Sequence, residues 1–459
     1  MYVQDTIVAP ATPPGAGAVA IVRLSGPAAI RILRSIWHPL RTGELKPRSL
    51  VLGEIRDSDN NLAIDRALAV VMPGPRSLTG EDVAELHCHG GPFLVRRVVG
   101  LALDCGARVA EPGEFTRRAF LNGRIDLTAA EAIADLVNAR GDSALRQALS
   151  HLNGALRLRV GGLREQLIAI AAHLEAEIDF SDEDIALPPR PEIARRISAL
   201  RDDVAQLHQS FARGRLMRSG ARAAIVGKPN SGKSSLLNAL LGVERAIVTA
   251  IPGTTRDVIE ETIHAGGYPL VLQDTAGVRT VADEVERIGI ERTLVHAGEA
   301  DLLLAVFDAS APLEPEDLSV LELCRDRAGV ALLNKSDLPA QVDARELRAR
   351  GLALPVLPVS ALRGDGLDAL RRELEAQIDA LAGGHRGDGV AISRERHRDA
   401  LARALEALEA ARGSVVAAMP PEIVAVDIAI AAEALASISG AVSSEDVLDR
   451  IFRDFCIGK

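Results

Sequence analysis

The run Ala-Ala-Ile-Val-Gly-Lys-Pro-Asn-Ser-Gly-Lys-Ser-Ser, residues 223–235, constrains this chain more than any other stretch. Residues 223–226 read as a buried strand, 227–232 as a glycine-bounded loop, and a helix is expected to open at Lys233. The spacing G-x-x-x-x-G-K-S is what a phosphate cradle needs. Glycines let the backbone curl so that successive N–H groups point inward, and the following helix N-terminus adds partial positive charge. Asn230, Ser231, Gly232, Lys233, Ser234 and Ser235 would line such a cradle. Lys233 would reach the β- and γ-phosphates and the Ser234 hydroxyl would ligate Mg²⁺.

Three more stretches follow in a fixed order. Asp274-Thr275-Ala276-Gly277 ends an apolar strand at 270–273, where an acid can hold Mg²⁺ through water and a glycine N–H can sense the γ-phosphate. Asn334-Lys335-Ser336-Asp337 ends the strand at 330–333. There Asp337 can accept hydrogen bonds from guanine N1–H and the 2-amino group, a pair that adenine does not offer. Ser360-Ala361-Leu362 follows a further short strand and would back the base through a main-chain N–H. Four such motifs, each at the carboxyl end of a strand, specify a guanine-nucleotide switch rather than a generic ATPase, and the expected fold is multidomain α/β with a Ras-like P-loop GTPase domain.

The whole chain sets the bounds. Its 459 residues allow roughly three domains. A net charge of −10 argues against coating nucleic acid by charge alone. One Trp, two Tyr and eight Phe are too few for a base-stacking platform. Cys88, Cys105, Cys324 and Cys456 are far apart with no C-x-x-C pair, which suits a reducing cytoplasm and excludes a ribbon-type zinc site. No signal segment or long apolar run suggests a membrane span.

Residues 1–120 alternate strand-like pieces at 18–24, 50–55, 67–71 and 83–87 with helices opened by Pro27 and Pro92, a compact α+β domain. From Leu127 the period becomes helical, behind a capping box of Thr128 and Glu131. Leu145, Leu149, Leu152 and Leu156 continue it, then Leu163 to Ile178, until Pro188-Pro189-Arg190-Pro191 breaks it. A further helix carries Ile193, Ile197, Leu200, Val204, Leu207 and Phe211. Beyond a glycine-rich linker at 383–389, helical patterns return around Leu401 to Leu408, at 423–438, and at 444–455 behind Ser444. The economical organisation is 1–120 as the α+β domain, 121–218 and 381–459 as two parts of one helical domain, and 219–380 as the nucleotide domain inserted between them. Insertion succeeds where the inserted domain's termini lie close together.

Several signatures together carry a resemblance. They are Thr79-Gly80-Glu81-Asp82, His89-Gly90-Gly91, Glu114-Phe115-Thr116-Arg117-Arg118-Ala119-Phe120, Asp283-Glu284-Val285-Glu286-Arg287-Ile288-Gly289, and the terminal Phe455-Cys456-Ile457-Gly458-Lys459. Over essentially its whole length the chain resembles the MnmE (TrmE) family of tRNA-modification GTPases. The resemblance implies a K⁺-stimulated, homodimeric GTP hydrolase whose N-terminal domain, similar to folate-binding aminomethyltransferases, also mediates dimerisation. That domain would hold a 5-formyl- or methylene-tetrahydrofolate one-carbon donor. With an FAD-dependent MnmG-type partner, in a heterotetramer, it would place an aminomethyl or carboxymethylaminomethyl group on C5 of the wobble uridine of certain tRNAs.

By residue matching, Arg23, Glu81, Arg124 and Lys459 would line the folate pocket, though many relatives carry Lys at the position of Arg124. Folate carboxylates call for basic partners. Cys456 would stand nearby as a reactive thiol, with plain helix packing as the other reading. Asn230 would face K⁺ together with the Thr249 and Ile251 carbonyls and the Thr254 hydroxyl, while Thr255 joins Ser234 on Mg²⁺. Val278 stands where Ras-like switches carry a water-orienting glutamine, and the family match selects Glu286 among the acids at 283–286 as the catalytic carboxylate.

Other signals weigh less. His87 and His89 share a strand face but lack a third metal ligand. Arg117-Arg118 and the arginines at 394–398 would meet tRNA phosphates or simply be solvated. Two competing functions remain. A ribosomal-RNA assembly GTPase would need an RNA-binding module with a basic G-x-x-G loop, and none is appended. A purely mechanical switch would leave the N-terminal domain without a purpose.

Overall fold

A computed structural model describes residues 5–41, 45–57, 61–179, 188–242, 260–265, 267–274, 298, 300–383, 389–441, 445–453 and 455–459. It divides into two compact units: Met1–Ala134 with His151–Ala169 and Ala432–Lys459, and Asp135–Ser150 with Ile170–Ala431.

The first unit is built on a seven-stranded sheet. Its strands are β1 (Ile7–Pro10), β2 (Gly17–Ser25), β3 (Trp37–Pro39), β4 (Val51–Arg56), β5 (Ala63–Met72), β6 (Val83–Gly90) and β7 (Arg108–Val109), in the order β3-β4-β5-β6-β2-β1-β7. All neighbours are antiparallel except β1 and β7. Alternation sends Val22, Leu24, Ala84, Leu86 and Cys88 to one face, where helices Ala29–Ile36 and Pro92–Asp104 add Ile32, Leu33, Val98 and Leu101. The other side chains of β2 and β6 pair across the ladder, with Arg23 opposite Glu85.

Pro92 opens its helix at the first position, as expected. Pro27 does not: that helix begins at Ala29 behind Ala28. β1, β3 and β7 were not legible in the sequence, being two to four residues long. A smaller core joins Leu127 and Ala130 to Leu448, Phe452 and Phe455 from helix Glu445–Arg453 and the tail.

The expected capping box at Thr128 is corrected. Helix Leu127–Val137 starts two residues earlier than a cap at Thr128 would place it, and Asp126 Oδ1 accepts from Ala129 N at 2.8 Å and Thr128 Oγ1 at 2.7 Å. A carboxylate one residue before the helix outcompetes a hydroxyl already inside its first turn. Glu131 is buried. Helix Asp142–Leu152 corrects the apolar phase: Leu145 and Leu149 are 40% and 41% exposed, while Ala144, Gln147, Ala148 and His151 are buried.

The second unit holds a six-stranded sheet of β8 (Ala221–Val226), β9 (Glu260–Ala265), β10 (Tyr268–Asp274), β11 (Leu302–Asp308), β12 (Gly329–Asn334) and β13 (Val356–Pro358). The order is β13-β12-β11-β8-β10-β9, parallel except for the β9–β10 hairpin. Near-continuous apolar runs such as Leu302 to Phe307 are buried because helices cover both faces. Ala221, Ala223 and Ile225 pack with helices Lys233–Gly242 and Leu367–Leu381. Ala224 and Val226 pack with Pro315–Leu323 and Ala344–Ala349.

In the same unit, helix Arg190–Gln209 packs along helix Glu395–Val416, from opposite flanks of the nucleotide domain in sequence. Its buried stripe is Ile193, Ile197, Leu200, Val204 and Leu207, as the period predicts. Phe211 instead opens a separate helix, Phe211–Ser219. Ser444, much of the glycine linker and the acids at 283–286 lie outside the described residues.

Candidate functional site: a phosphate loop and a base-reading edge

β8 delivers the chain into the loop at Gly227, and helix Lys233–Gly242 leaves it. Residues 228–231 close a turn, with Ser231 N donating to Lys228 O at 3.3 Å. Pro229 follows Lys228, and Asn230 has φ 61°, the left-handed conformation required at the third position of a type II turn. Gly232 has φ 96°, and a Cβ there would collide with the Asn334 side chain, so only glycine fits. Lys233 Nζ donates to Gly227 O at 2.9 Å and Lys228 O at 2.8 Å. Ser231 is fully buried, and its Oγ has no hydrogen-bond partner among the described residues. Asn230 and Ser234 are exposed at the mouth of the loop. A curled loop with an exposed helix start and a lysine on its carbonyls fits an incoming polyphosphate.

The motifs at 334–337 and 360–362 converge on this loop. Asn334, ending β12, donates from Nδ2 to Ser231 O at 2.9 Å and accepts at Oδ1 from Ala361 N at 3.1 Å. One buried amide therefore ties the phosphate loop, the strand end and the Ser360-Ala361 turn together, a role that the motif spacing alone did not show. Ser360 Oγ donates to Asp337 Oδ1 at 2.6 Å, which holds the Asp337 carboxyl below its ordinary pKa. Lys335, with φ 62°, reaches Asp308 Oδ2 at 2.6 Å. Burial by itself would raise Asp308, but the Lys335 ammonium and the Ser310 hydroxyl and amide together bring it below the usual range.

Sequence reading also missed Lys228, whose ammonium binds Glu314 and Asp317. Its only signal was a basic residue directly after Gly227. Asp274 ends β10 as expected. Thr249, Ile251, Thr254, Thr255, Thr275, Ala276, Gly277 and Glu286 lie outside the described residues.

A second cluster occupies the first unit. Arg23 Nε pairs with Glu85 Oε1 at 2.7 Å, its Nη1 approaches Gly458 O at 3.5 Å, and its guanidinium lies 5.7 Å from the Phe115 ring centroid. Two residues along the same face of β2, Ser25 Oγ donates to Glu81 Oε2 at 2.7 Å. Gly80 sits beside the Arg124 side chain. The C-terminal segment reaches this unit through a bridge between Pro112 and Ile457 and through Gly113 N to Cys456 O at 3.3 Å. Gly458 adopts φ 96°, and any side chain there would strike Pro10 O. Cys456 is exposed and free.

Arg118 is not available to nucleic acid. It is 2% exposed and held by Glu81 at 3.2 Å, Glu114 at 2.8 Å and Asp5 at 2.5 Å. Arg117 pairs with Asp449 at 2.9 Å, and Arg394 with Asp135 at 2.7 Å. His87 faces Glu85 and His89 faces Asp65, and no cluster of three metal-ligating side chains exists among the described residues. No helix among the described residues is long and apolar enough to cross a membrane.

Comparison with known proteins covers the whole chain. A model of the GTP-binding protein TrmE N-terminus matches residues 6–124, and one of the MnmE helical domain matches residues 127–456. The tRNA modification GTPase MnmE of Natranaerobius thermophilus is 42% identical over 99% of this chain and 100% of its own length. The proteins of that name from Heliobacterium modesticaldum and Moorella thermoacetica are 44% and 45% identical, covering 100% and 99% of this chain and 100% of each relative.

Proposed function

The chain belongs to the MnmE family of tRNA modification GTPases, and from that premise we propose that it modifies the wobble uridine of certain tRNAs at C5. It hydrolyses GTP. The group added would be aminomethyl or carboxymethylaminomethyl, drawn from 5-formyl- or methylene-tetrahydrofolate, with an FAD-dependent MnmG-type protein as partner. The observation that best supports the folate part is the C-terminal tail seated on the N-terminal sheet, which brings Gly458 to Arg23. Basic groups at Arg23, Arg124 and Lys459 suit folate carboxylates, and Glu81 would accept from the ring amides.

In the nucleotide domain, Ser234 and Thr255 would hold Mg²⁺, with Asp274 acting through water. Asn230, Thr249, Ile251 and Thr254 would hold K⁺, a positive charge beside the β- and γ-phosphates. Asn334, Lys335, Asp337, Ser360 and Ala361 would bind the base, and residues 230–235 with Asp274 to Gly277 the phosphates. Glu286 would orient the attacking water. Helices Arg190–Gln209 and Glu395–Val416 pack together from either side of the proposed nucleotide domain at 219–380, which supports a helical domain drawn from both flanks; its proposed bounds are 121–218 and 381–459. Leu52 and Leu68, opposite each other on β4 and β5 and both exposed, suit a homodimer through the domain at 1–120. Four free cysteines suit the cytoplasm.

Mass analysis of wobble uridines tests this reading. tRNA from cells lacking the protein is expected to lose the C5 aminomethyl-type groups and to regain them on complementation. Unchanged uridines in the deletion strain would overturn it.

A further inference from the structure

Lys228 holds the phosphate loop from two sides. Its Nζ lies 2.9 Å from Glu314 Oε2 and 2.9 Å from Asp317 Oδ2, at the start of helix Pro315–Leu323. Its carbonyl accepts from Ser231 N and from Lys233 Nζ. Lys228 is 9% exposed and Asp317 1%, so that pair is shielded from bulk water, while the Glu314 side chain is 58% exposed. Asp317 Oδ2 also accepts from Glu314 N at 2.9 Å, closing a reciprocal cap with the Glu314 side chain. The anchor is therefore part of a rigid helix start rather than a lone surface acid.

Two consequences follow from elementary electrostatics. A polyphosphate would draw Lys233 away from the Gly227 and Lys228 carbonyls, leaving the turn with the Ser231 N to Lys228 O bond but without the lysine that also holds it. The Lys228 side chain would keep that turn in place as Lys233 leaves. The same ammonium also cancels charge on two carboxylates beside a loop that receives a highly anionic ligand.

We propose that Lys228 is a positioning residue of the GTPase: it fixes the turn at 228–231 to the Pro315–Leu323 helix and screens Glu314 and Asp317 from the nucleotide phosphates. The inference rests on reading residues 227–234 as the phosphate loop.

The test uses the full-length chain, with GTP and GDP binding measured by calorimetry at low and high salt. Lys228→Met keeps the apolar stem and removes the charge. It is expected to weaken GTP by about tenfold at low salt and GDP by less, because the repulsion scales with phosphate charge. The difference between the two nucleotides should shrink at high salt, where screening shortens the range. Lys228→Arg should restore GTP binding to within about threefold, because a guanidinium can pair with both carboxylates.

GTP binding within twofold of wild type in Lys228→Met overturns the proposal. So does an equal, salt-independent loss of GTP and GDP, the signature of a merely structural role. If Lys228→Met does not fold, Glu314→Gln removes one carboxylate while keeping a capping acceptor. It should raise the GTP-to-GDP affinity ratio, and an unchanged ratio also overturns the proposal. Lys233→Ala is the separate control. If it keeps full GTP affinity, the phosphate-loop reading itself fails, whatever Lys228 does.

Discussion

Guanine presents two donors, N1–H and the 2-amino group, so its proposed reader, Asp337, must offer two acceptor oxygens as an anion. The Ser360 hydroxyl donates to one of them and favours the charged form, keeping the group ionised well below neutral pH. Asp337→Asn replaces one acceptor with a donor, which matches xanthine instead. GTP affinity is expected to fall at least about tenfold, the scale of a bidentate base contact, while xanthosine triphosphate binding improves. Competition binding with both nucleotides checks it, and equal weakening would remove the base-reading role. At this scale chemistry was legible where a motif fixes the residue, and illegible where burial decides. Arg118 looks in sequence like a phosphate contact, yet three carboxylates enclose it. Removing a buried partner from such a cluster would leave charge uncompensated, so its place is structural.

The phosphate loop was the clearest element in the sequence, because G-x-x-x-x-G-K-S fixes both its turn and the helix that follows. Its left-handed Asn230 places that side chain at an exposed mouth, consistent with the proposed K⁺ contact. Single-turnover GTP hydrolysis in KCl and NaCl measures this directly. Hydrolysis is expected to be much faster in K⁺, on the scale of 10³ to 10⁵ at most for a charge replacing an arginine finger. Asn230→Ala should erase the difference between the salts. Glu286→Ala should keep GTP affinity within a few-fold and lower the K⁺-stimulated rate at least about 10²-fold. Equal wild-type rates in the two salts would refute the cation site, and a wild-type rate in Glu286→Ala would refute the carboxylate. Helix ends and phases were less legible. Asp126 and Thr128 are both good caps, and only the backbone's position chose Asp126. Leu145 and Leu149 have the right period for a buried stripe. Their neighbours Ser143 and Gln147 have main-chain carbonyls to bind instead, at 2.6 Å on Gly267 and 3.1 Å on Ala391.

For the molecule as a whole, the two ends of the chain meet. Arg23 and Gly458, 435 residues apart, meet beside Phe115, and Phe455 is buried with Leu127 and Phe452. If the tail completes the proposed folate site, removing Lys459 should weaken 5-formyl-tetrahydrofolate by about tenfold, the scale of a charge-assisted hydrogen bond, and leave GTP affinity unchanged. Calorimetry on the full-length protein and the truncated variant checks this. Equal folate affinity in the two would separate the tail from the site. The sequence by itself determined the nucleotide domain, because each motif is local: a strand end, a turn and a helix start within a few residues of one another. It also determined the family, because its signatures span the chain. Only the tertiary structure decided which charged groups are buried, that Asn334 ties the loop to the Ser360 turn, that Lys228 is clamped by Glu314 and Asp317, and that the tail docks on β1 and β2. Those contacts join residues tens to hundreds of positions apart. Neither periodicity nor spacing encodes them, since they exist only once each sheet has assembled and its helices and loops have packed on it.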